Sequence, residues 1–250
     1  MRILMTGEEG MVGTYLTKYL TDRGYDIIPF GGEFGKGSDI TKAEDWNKLL
    51  DLTPFDGIIH LAALAGVRPS IEDPELYYNN NVGGTKLMLE FAERCGIKRV
   101  LYASSSNAAE WWTNPYGTTK KMNEIQAENY SSIGMRFHTI WPGRDDMLYK
   151  KLERGEVSFI NANHFRDMIH VEDISSAIKL LLENFEALAF LKAVDIGTGE
   201  TISVADIAKA YGYEGEYIEE NPEGERVVTK ADIKWLTDLG WKPKWNILDV

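Results

Sequence analysis

The chain has 250 residues, 44% apolar and 11% aromatic, enough for one large α/β domain, or a large and a small one, around a real core. A formal charge of −12 excludes a non-specific nucleic-acid binder, which needs a basic footprint, but not a phosphorylated small ligand, which needs only local donors. The lone Cys95 excludes an internal disulfide and a multi-cysteine zinc site, so no metal is expected and a reducing compartment is the natural reading.

The first residues, MRILMTGEEG, lack a signal-peptide layout, since about four apolar residues run straight into glycine. The longest apolar stretch, GIIHLAALAGV, is about eleven residues and too short to span a bilayer. A soluble, cytoplasmic protein with no membrane or nucleic-acid partner is expected.

RILMT (2–6) predicts a strand, followed by a glycine-rich turn and a helix to about Arg23, where Gly24 ends it. DIIPF (26–30) is a second strand, followed by a helix around 42–51 and the strand GIIHLA (57–62). A long helix runs from about Pro74 to Arg94, then the strand RVLYAS (99–104) and a helix opened by Pro115. The strand MRFHTIW (135–141) and a helix around 144–154 complete the regular part. Such alternation predicts an α/β fold with a Rossmann-like, doubly wound parallel sheet. The short mixed elements from about 200 onward suggest a small appended lobe. We expect residues 1–142 plus about 169–198 to form the dinucleotide-binding domain, and about 143–168 and 199–250 a small substrate-binding lobe.

The first strand runs directly into Gly7-x-x-Gly10-x-x-Gly13. Glycine at those positions permits a tight turn, close approach of backbone to a pyrophosphate, and helix–strand packing. Glu8 and Glu9 would then have to point away from the phosphates. Asp39-Ile40-Thr41 reads equally as a capped turn or as a contact to an adenine ring. The acidic residue that ordinarily ends strand two and binds the ribose hydroxyls is missing, for Phe30, Gly31 and Gly32 stand there. Glu33 or a main-chain contact could substitute, and Lys36 could meet a 2′-phosphate, so NAD is the expected cofactor and NADP stays open.

Ser104-Ser105-Ser106 ends the strand at 99–104, at the carboxyl edge where parallel sheets bind ligands; the bland alternative is a polar strand end. Tyr116 and Lys120 lie four apart on one face of the helix opened by Pro115. With twelve tyrosines in the chain, about one such pair arises by chance, so spacing alone proves nothing. A hydroxyl beside the reacting oxygen and a tyrosine made basic by a nearby lysine and the positive nicotinamide ring would together handle an alcohol or a carbonyl.

That order of motifs resembles the extended short-chain dehydrogenase/reductase superfamily, over nearly the whole chain. HLAALAGVRPSIEDPELYYNNNVGGTKLMLE is similar to the third strand and fourth helix of its nucleotide-sugar epimerases. RDMIHVEDI (166–174), VDIGTGETISV (194–204) and LGWKPKW are similar to later signatures. HLAALAGVR (60–68), TTKKMNEIQAENYSS (118–132) and MRFHTIWPGRDDM (135–147) resemble the UDP-glucuronate 4-epimerase branch. The resemblance implies a cofactor site drawing on Gly7, Gly10, Met11, Val12 and Gly13, on Asp39 and Ile40, and on Leu61, Ala62 and Ala63. It adds Asn81 of an Asn-x-x-Gly-Thr pattern, Ser104, Tyr116 and Lys120. Tyr116 would be the base, Lys120 would lower its pKa, and Ser105 or Ser106 would bind the C4 oxygen. Arg144 would pair with the sugar carboxylate, with Arg68 and Thr139 as further substrate contacts; the alternative for Arg144 is a surface residue balanced by Asp145 and Asp146.

The implied reaction is C4 epimerisation of a nucleotide sugar, UDP-glucuronate before others, by transient oxidation. The alternatives are a reductase of a keto-sugar or small carbonyl, and a non-catalytic cofactor-binding protein. A 4,6-dehydratase needs carboxylates just after the catalytic hydroxyl, but Asn107 and Ala108 follow, with Glu110 the nearest candidate. The resemblance also implies a homodimer joined through the two long helices. Relative to the family the chain is trimmed: only NAAEWWTNP joins Ser106 to Tyr116, with Trp111 and Trp112 free to stack on a ligand, cap a core or form an interface.

Overall fold

The computed structural model describes residues 1–31, 37–145, 147–220 and 222–249. Strand β1 (Arg2–Thr6) is followed by helix α1 (Met11–Thr21), β2 (Asp26–Pro29), α2 (Ala43–Lys48) and β3 (Gly57–His60). Next come α3 (Val67–Glu72), α4 (Pro74–Tyr77), α5 (Gly84–Arg94), β4 (Val100–Ser105), α6 (Pro115–Ala127) and β5 (Ser132–Phe137). With β10 (Ala193–Ile196), introduced below, five of these strands form a six-stranded sheet in the order β10-β5-β4-β3-β1-β2, every pair parallel. The strands alternate their side chains between two cores. Ile3, Met5, Ile59 and Leu101 pack with Leu16 and Leu20 of α1, while Leu4, Ile58, Val100 and Tyr102 pack with Trp46, Met88 and Phe91 on the other face. Burial on both faces explains why these strands read as continuous apolar runs rather than alternating ones. Each fully buried aliphatic side chain contributes about 1.5–3 kcal/mol, so the sheet centre carries much of the fold's stability.

The chain leaves this sheet after β5. His138 N–H makes the last bond to it, on Ile196 O, and Thr139 N–H already bonds Asp167 O. The single strand expected over 135–141 is therefore two, β5 and then β6 (Thr139–Trp141), because the second half pairs outside the sheet. Beyond it lie α7 (Leu148–Glu153), β7 (Phe159–Asn161), β8 (Phe165–Arg166), β9 (Met168–His170), α8 (Val171–Glu183) and α9 (Phe185–Leu188). After β10 follow β11 (Ile202–Ser203), α10 (Val204–Ala210), β12 (Glu216–Ile218) and α11 (Lys234–Asp238). Three two-stranded ladders, β6–β9, β7–β12 and β8–β11, surround a separate apolar cluster of Trp141, Tyr149, Ile160, Ile207 and Ile247. Asp167, fully buried, ties these pieces to the sheet by accepting from Thr198 N and Oγ1 (2.7 and 2.9 Å), Gly199 N (2.9 Å) and Ala231 N (3.1 Å).

The helices also differ from their expected spans. The helix over 42–51 is α2 followed by a 3-10 turn at Leu49–Leu52, and that around 144–154 shortens to α7. The long helix from Pro74 to Arg94 is interrupted by a π turn at Tyr78–Gly83, the kind of insertion that often marks a functional site. It carries Asn81, whose buried amide reaches out of the helix.

Candidate active site

β1 lies between β2 and β3, so the chain order reverses at the β1/β3 boundary, where open parallel sheets bind ligands at their carboxyl ends. The glycine turn fills that point. Gly7 has φ +73°, and a Cβ there would sit 2.6 Å from Ala62 N, so only glycine lets the turn close against the end of β3. A Cβ on Gly13 would stand 2.0 Å from Gly7 O, which forces the first turn of α1 directly onto the loop. Gly10 N–H closes the turn on Gly7 O at 3.0 Å and Gly10 then caps α1 in extended conformation, presenting the N–H groups of Met11 and Val12 toward the crevice. Leu61 N–H and Ala62 N–H bond Thr6 O and Oγ1, at 3.0 and 3.2 Å, placing 61–63 opposite the turn.

Other predicted cofactor residues serve this frame from behind. Asn81 bonds Leu64 N–H and C=O (2.8 and 3.0 Å) and Thr119 Oγ1 (3.1 Å), coupling the loop after β3 to α6. Ile40 packs against Gly84, where a Cβ would lie 2.5 Å from its Cδ1. Asp39 Oδ1 accepts from Thr41 N and Oγ1, bonds that hold its carboxyl below the usual range and close a local turn, but the N-cap of α2 is Lys42, with no side-chain cap from either residue. Ser104 donates to Glu124 at 2.8 Å, and Arg136 holds Glu124 by two bonds of 2.7 Å. Burial tends to raise the Glu124 pKa, but Arg136 and Ser104 bring it below its ordinary value. Glu33 and Lys36 lie outside the described residues.

α6 begins where Asn114 Oδ1 accepts Gly117 N–H at 2.7 Å and Pro115 takes the first helical position. That start sets Tyr116 beside β4, where the Ser105 hydroxyl acts on its phenol and itself caps the following 3-10 run by accepting from Asn107 N–H at 3.2 Å. Burial raises the Tyr116 pKa, Ser105 and the Arg144 guanidinium lower it, and the net shift is upward. Lys120 is itself 2% exposed, and burial brings its ammonium down to about 7. Its Nζ donates to Ala103 O at 2.9 Å and lies 5.7 Å from the Tyr116 ring centroid; among the described residues its other N–H groups have no acceptor. His60, under the same site, is brought down to about 3 by burial and then by the Lys120 charge, and its Nδ1 meets Thr6 Oγ1 at 2.8 Å.

A cavity of about 770 Å³ opens beside this group, lined by Ser106, Asn107, Thr139 and Arg68 and by residues of the ladders. The short connection NAAEWWTNP is not an open loop but a compact 3-10 run, Ser106–Thr113, broken at Glu110. The segment before α11 packs against it. Arg226 bonds Glu110 Oε1 (2.9 Å) and Ser106 O (2.9 Å), Asn114 Nδ2 bonds Gly224 O (2.9 Å), and Glu225 binds Arg68 (3.0 Å). Arg166 lines the same cavity, 3.8 Å from Glu225. Sequence reasoning gave no role to Arg166, Arg226 or Glu225. Their only signal was an arginine inside RDMIHVEDI and another inside GERVVTKAD. Trp111 and Trp112 meet edge to face at 5.9 Å, are 42% and 67% exposed, and do not line the cavity. Arg144 is exposed, with its charge felt at Tyr116, and Asp145 turns instead to Arg154 at 3.7 Å. Asp146 lies outside the described residues. Among the described residues no His, Cys, Asp or Glu cluster is arranged to hold a metal, and no helix is long and apolar enough to cross a membrane.

The description of the NAD dependent epimerase/dehydratase family matches residues 3–197, which take in the glycine turn, both serines and the Tyr–Lys pair. The chain belongs to that family. Protein CapI of Staphylococcus aureus is 30% identical over 321 aligned positions, covering 100% of this chain and 96% of its own length. UDP-glucuronate 4-epimerase 4 of Arabidopsis thaliana is 27% identical, over 98% of this chain and 72% of its own. The fold matches UDP-glucose 4-epimerase of Bifidobacterium longum, solved in complex with NAD+ and UDP, at a TM-score of 0.80 and 21% identity, over 100% of this chain and 95% of that one. The CapI alignment is longer than the chain itself, so this family member carries internal deletions relative to CapI, as the short connection before α6 suggests.

Proposed function

We propose that the protein is an NAD-dependent nucleotide-sugar 4-epimerase, with UDP-glucuronate as its substrate. The observation that carries this reading is the convergence on one phenol of the Ser105 hydroxyl, the Arg144 charge and, along α6, Lys120. The cradle suits a dinucleotide: Gly7 and Gly13 let the turn close tightly on Ala62 and on the start of α1, leaving the helix N-terminus at Met11 and Val12 for a pyrophosphate, and Lys120 offers buried donors to ribose hydroxyls. When bound, NAD supplies the site that takes up and returns the C4 hydrogen, and its positive ring offsets the burial that raises the Tyr116 pKa.

Tyr116 Oη removes the proton from the C4 hydroxyl while Ser105 hydrogen-bonds the C4 oxygen. The resulting ketone turns over within the cavity, and Tyr116 returns the proton once the hydrogen is restored on the other face. Arg166 and Arg226 line the cavity in position for the diphosphate, and Arg144 holds the uronate carboxylate by its planar guanidinium. Residues 143–168 and 199–250 act as the substrate lobe. A 4,6-dehydratase is disfavoured because Glu110, the nearest carboxylate, is bound by Arg226.

The test is incubation with UDP-glucuronate and separation of the epimers. UDP-galacturonate is expected, and its absence at high enzyme concentration removes the substrate assignment. Arg144→Ala should weaken turnover of the uronate about tenfold more than that of UDP-glucose, the scale of one hydrogen bond to a charge; equal losses remove the carboxylate role. The same reading includes a cytoplasmic homodimer, supported by exposed Leu76 on α4 and Met122 and Ile125 on α6 (51%, 38% and 59%). A one-chain mass in light scattering contradicts the dimer.

A further inference from the structure

The end of β2 poses a problem that the sequence leaves open, because among the described residues no acid follows the strand to receive the adenosine ribose, and Glu33 lies outside them. The structure brings one from elsewhere. Glu8 leaves the glycine turn directly after Gly7, and its Oε1 accepts the Gly31 N–H at 3.1 Å. Phe30 N–H is bonded to Met5 O at 2.7 Å, so the end of β2 is fixed beside β1, with the Glu8 carboxylate lying across both strand ends. Gly31 fits this contact closely, since a Cβ there would lie 3.2 Å from Glu8 Oε1. Among the described residues, Glu8 Oε2 accepts no hydrogen bond. Glu8 thus reaches from the glycine turn to the end of β2.

We propose that Glu8 is the ribose-binding carboxylate of this chain and that it selects NAD over NADP. The inference rests on the dinucleotide site of the proposed epimerase and adds to it the residue that discriminates between cofactors. A carboxylate accepts hydrogen bonds and donates none, so it is matched to two ribose hydroxyls. A 2′-phosphate removes one of those donors and sets a group of about two negative charges against the carboxylate, where no hydrogen bond can form. Because Glu8 starts from the turn that also faces the pyrophosphate, one loop would hold both ends of the adenosine diphosphate. That arrangement also explains how β2 can end in phenylalanine and glycine without loss of the ribose contact.

The experiment is direct titration of the purified protein with NADH and NADPH, followed by fluorescence and by calorimetry, independent of any turnover. Wild type should bind NADH at least about tenfold more tightly than NADPH, the factor carried by one charge-assisted hydrogen bond. Glu8→Gln keeps an acceptor for Gly31 N–H and removes the charge. It should lower NADH affinity and raise NADPH affinity, moving the ratio by about tenfold or more while the melting temperature of the free protein stays within a degree or two. A purely structural role for Glu8 predicts that both affinities move together or not at all, and that result overturns the proposal. A wild-type preference for NADPH overturns it as well, while leaving a dinucleotide-dependent epimerase intact. Failure of wild type to bind either nucleotide overturns the epimerase reading, and this one with it.

Discussion

The two sides of the active crevice are built in different ways. The cofactor side is made from neighbours in sequence: a strand, a turn and a helix between Arg2 and Thr21, closed against Ala62 by contacts too tight for any side chain. The substrate side is made from segments 116 to 120 residues apart, Ser106 and Glu110 against Arg226, joined by ion pairs and hydrogen bonds at its rim. Close backbone packing tolerates almost no substitution, whereas a rim of charged side chains can be rebuilt one residue at a time. The short connection before α6 shows the consequence: it is joined to residues 224–226 by side-chain bonds alone at the cavity rim.

The largest expected effect lies where the two sides meet. Tyr116→Phe removes the oxygen proposed to take and return the proton, and turnover should fall by about a hundredfold to ten-thousandfold. NADH and the sugar nucleotide should both still bind, because the phenol holds neither side of the crevice in place. Near-normal activity would show that the proton moves elsewhere. A smaller and one-sided effect is expected at the rim. Arg226→Ala should weaken sugar-nucleotide binding by about tenfold or more, through loss of a charged donor to the diphosphate, with NADH affinity unchanged. Parallel losses for both ligands in titrations would mean that the two sides are not independent, and the comparison would fail.

This contrast also explains what the sequence revealed. The glycine turn, the Tyr–Lys spacing and the alternating strands are local patterns, set by φ, by helical period and by burial on two faces, and they were legible at once. Which of Ser105 and Ser106 lies nearer Tyr116 was not, because that depends on the register of β4 against α6. The split of the strand at His138 was hidden for a similar reason. Phe137 and Thr139 are both good strand residues, and only the pairing of Thr139 with Met168 takes the second half out of the sheet. Arg226, Glu225 and Glu8 were illegible as site residues because their partners lie far along the chain, and nothing periodic marks them. Glu8 in particular reads as a charge beside a phosphate loop until the position of Gly31 is known.

The smallest predicted effect probes Lys120, which belongs to both sides. Burial sets its folded pKa at about 7, against 10.5 for the ordinary side chain. Between those values the unfolded chain binds a proton that the folded chain does not, so this group makes stability rise with pH across that window. Below about 7 both states are protonated and the full cost of burying the charge is present; above the unfolded value both are neutral and the contribution is flat. Lys120→Met removes the titration while keeping a side chain of similar length. The melting temperature of the nucleotide-free wild type, minus that of the variant, should therefore climb by a few degrees between pH 7 and about pH 10 and stay level below. A difference that stays constant across the whole range would mean that Lys120 carries its charge in the folded protein at neutral pH and above. Its proximity would then lower the Tyr116 pKa directly, as the four-residue spacing first suggested, and the nicotinamide ring would be relieved of part of that task.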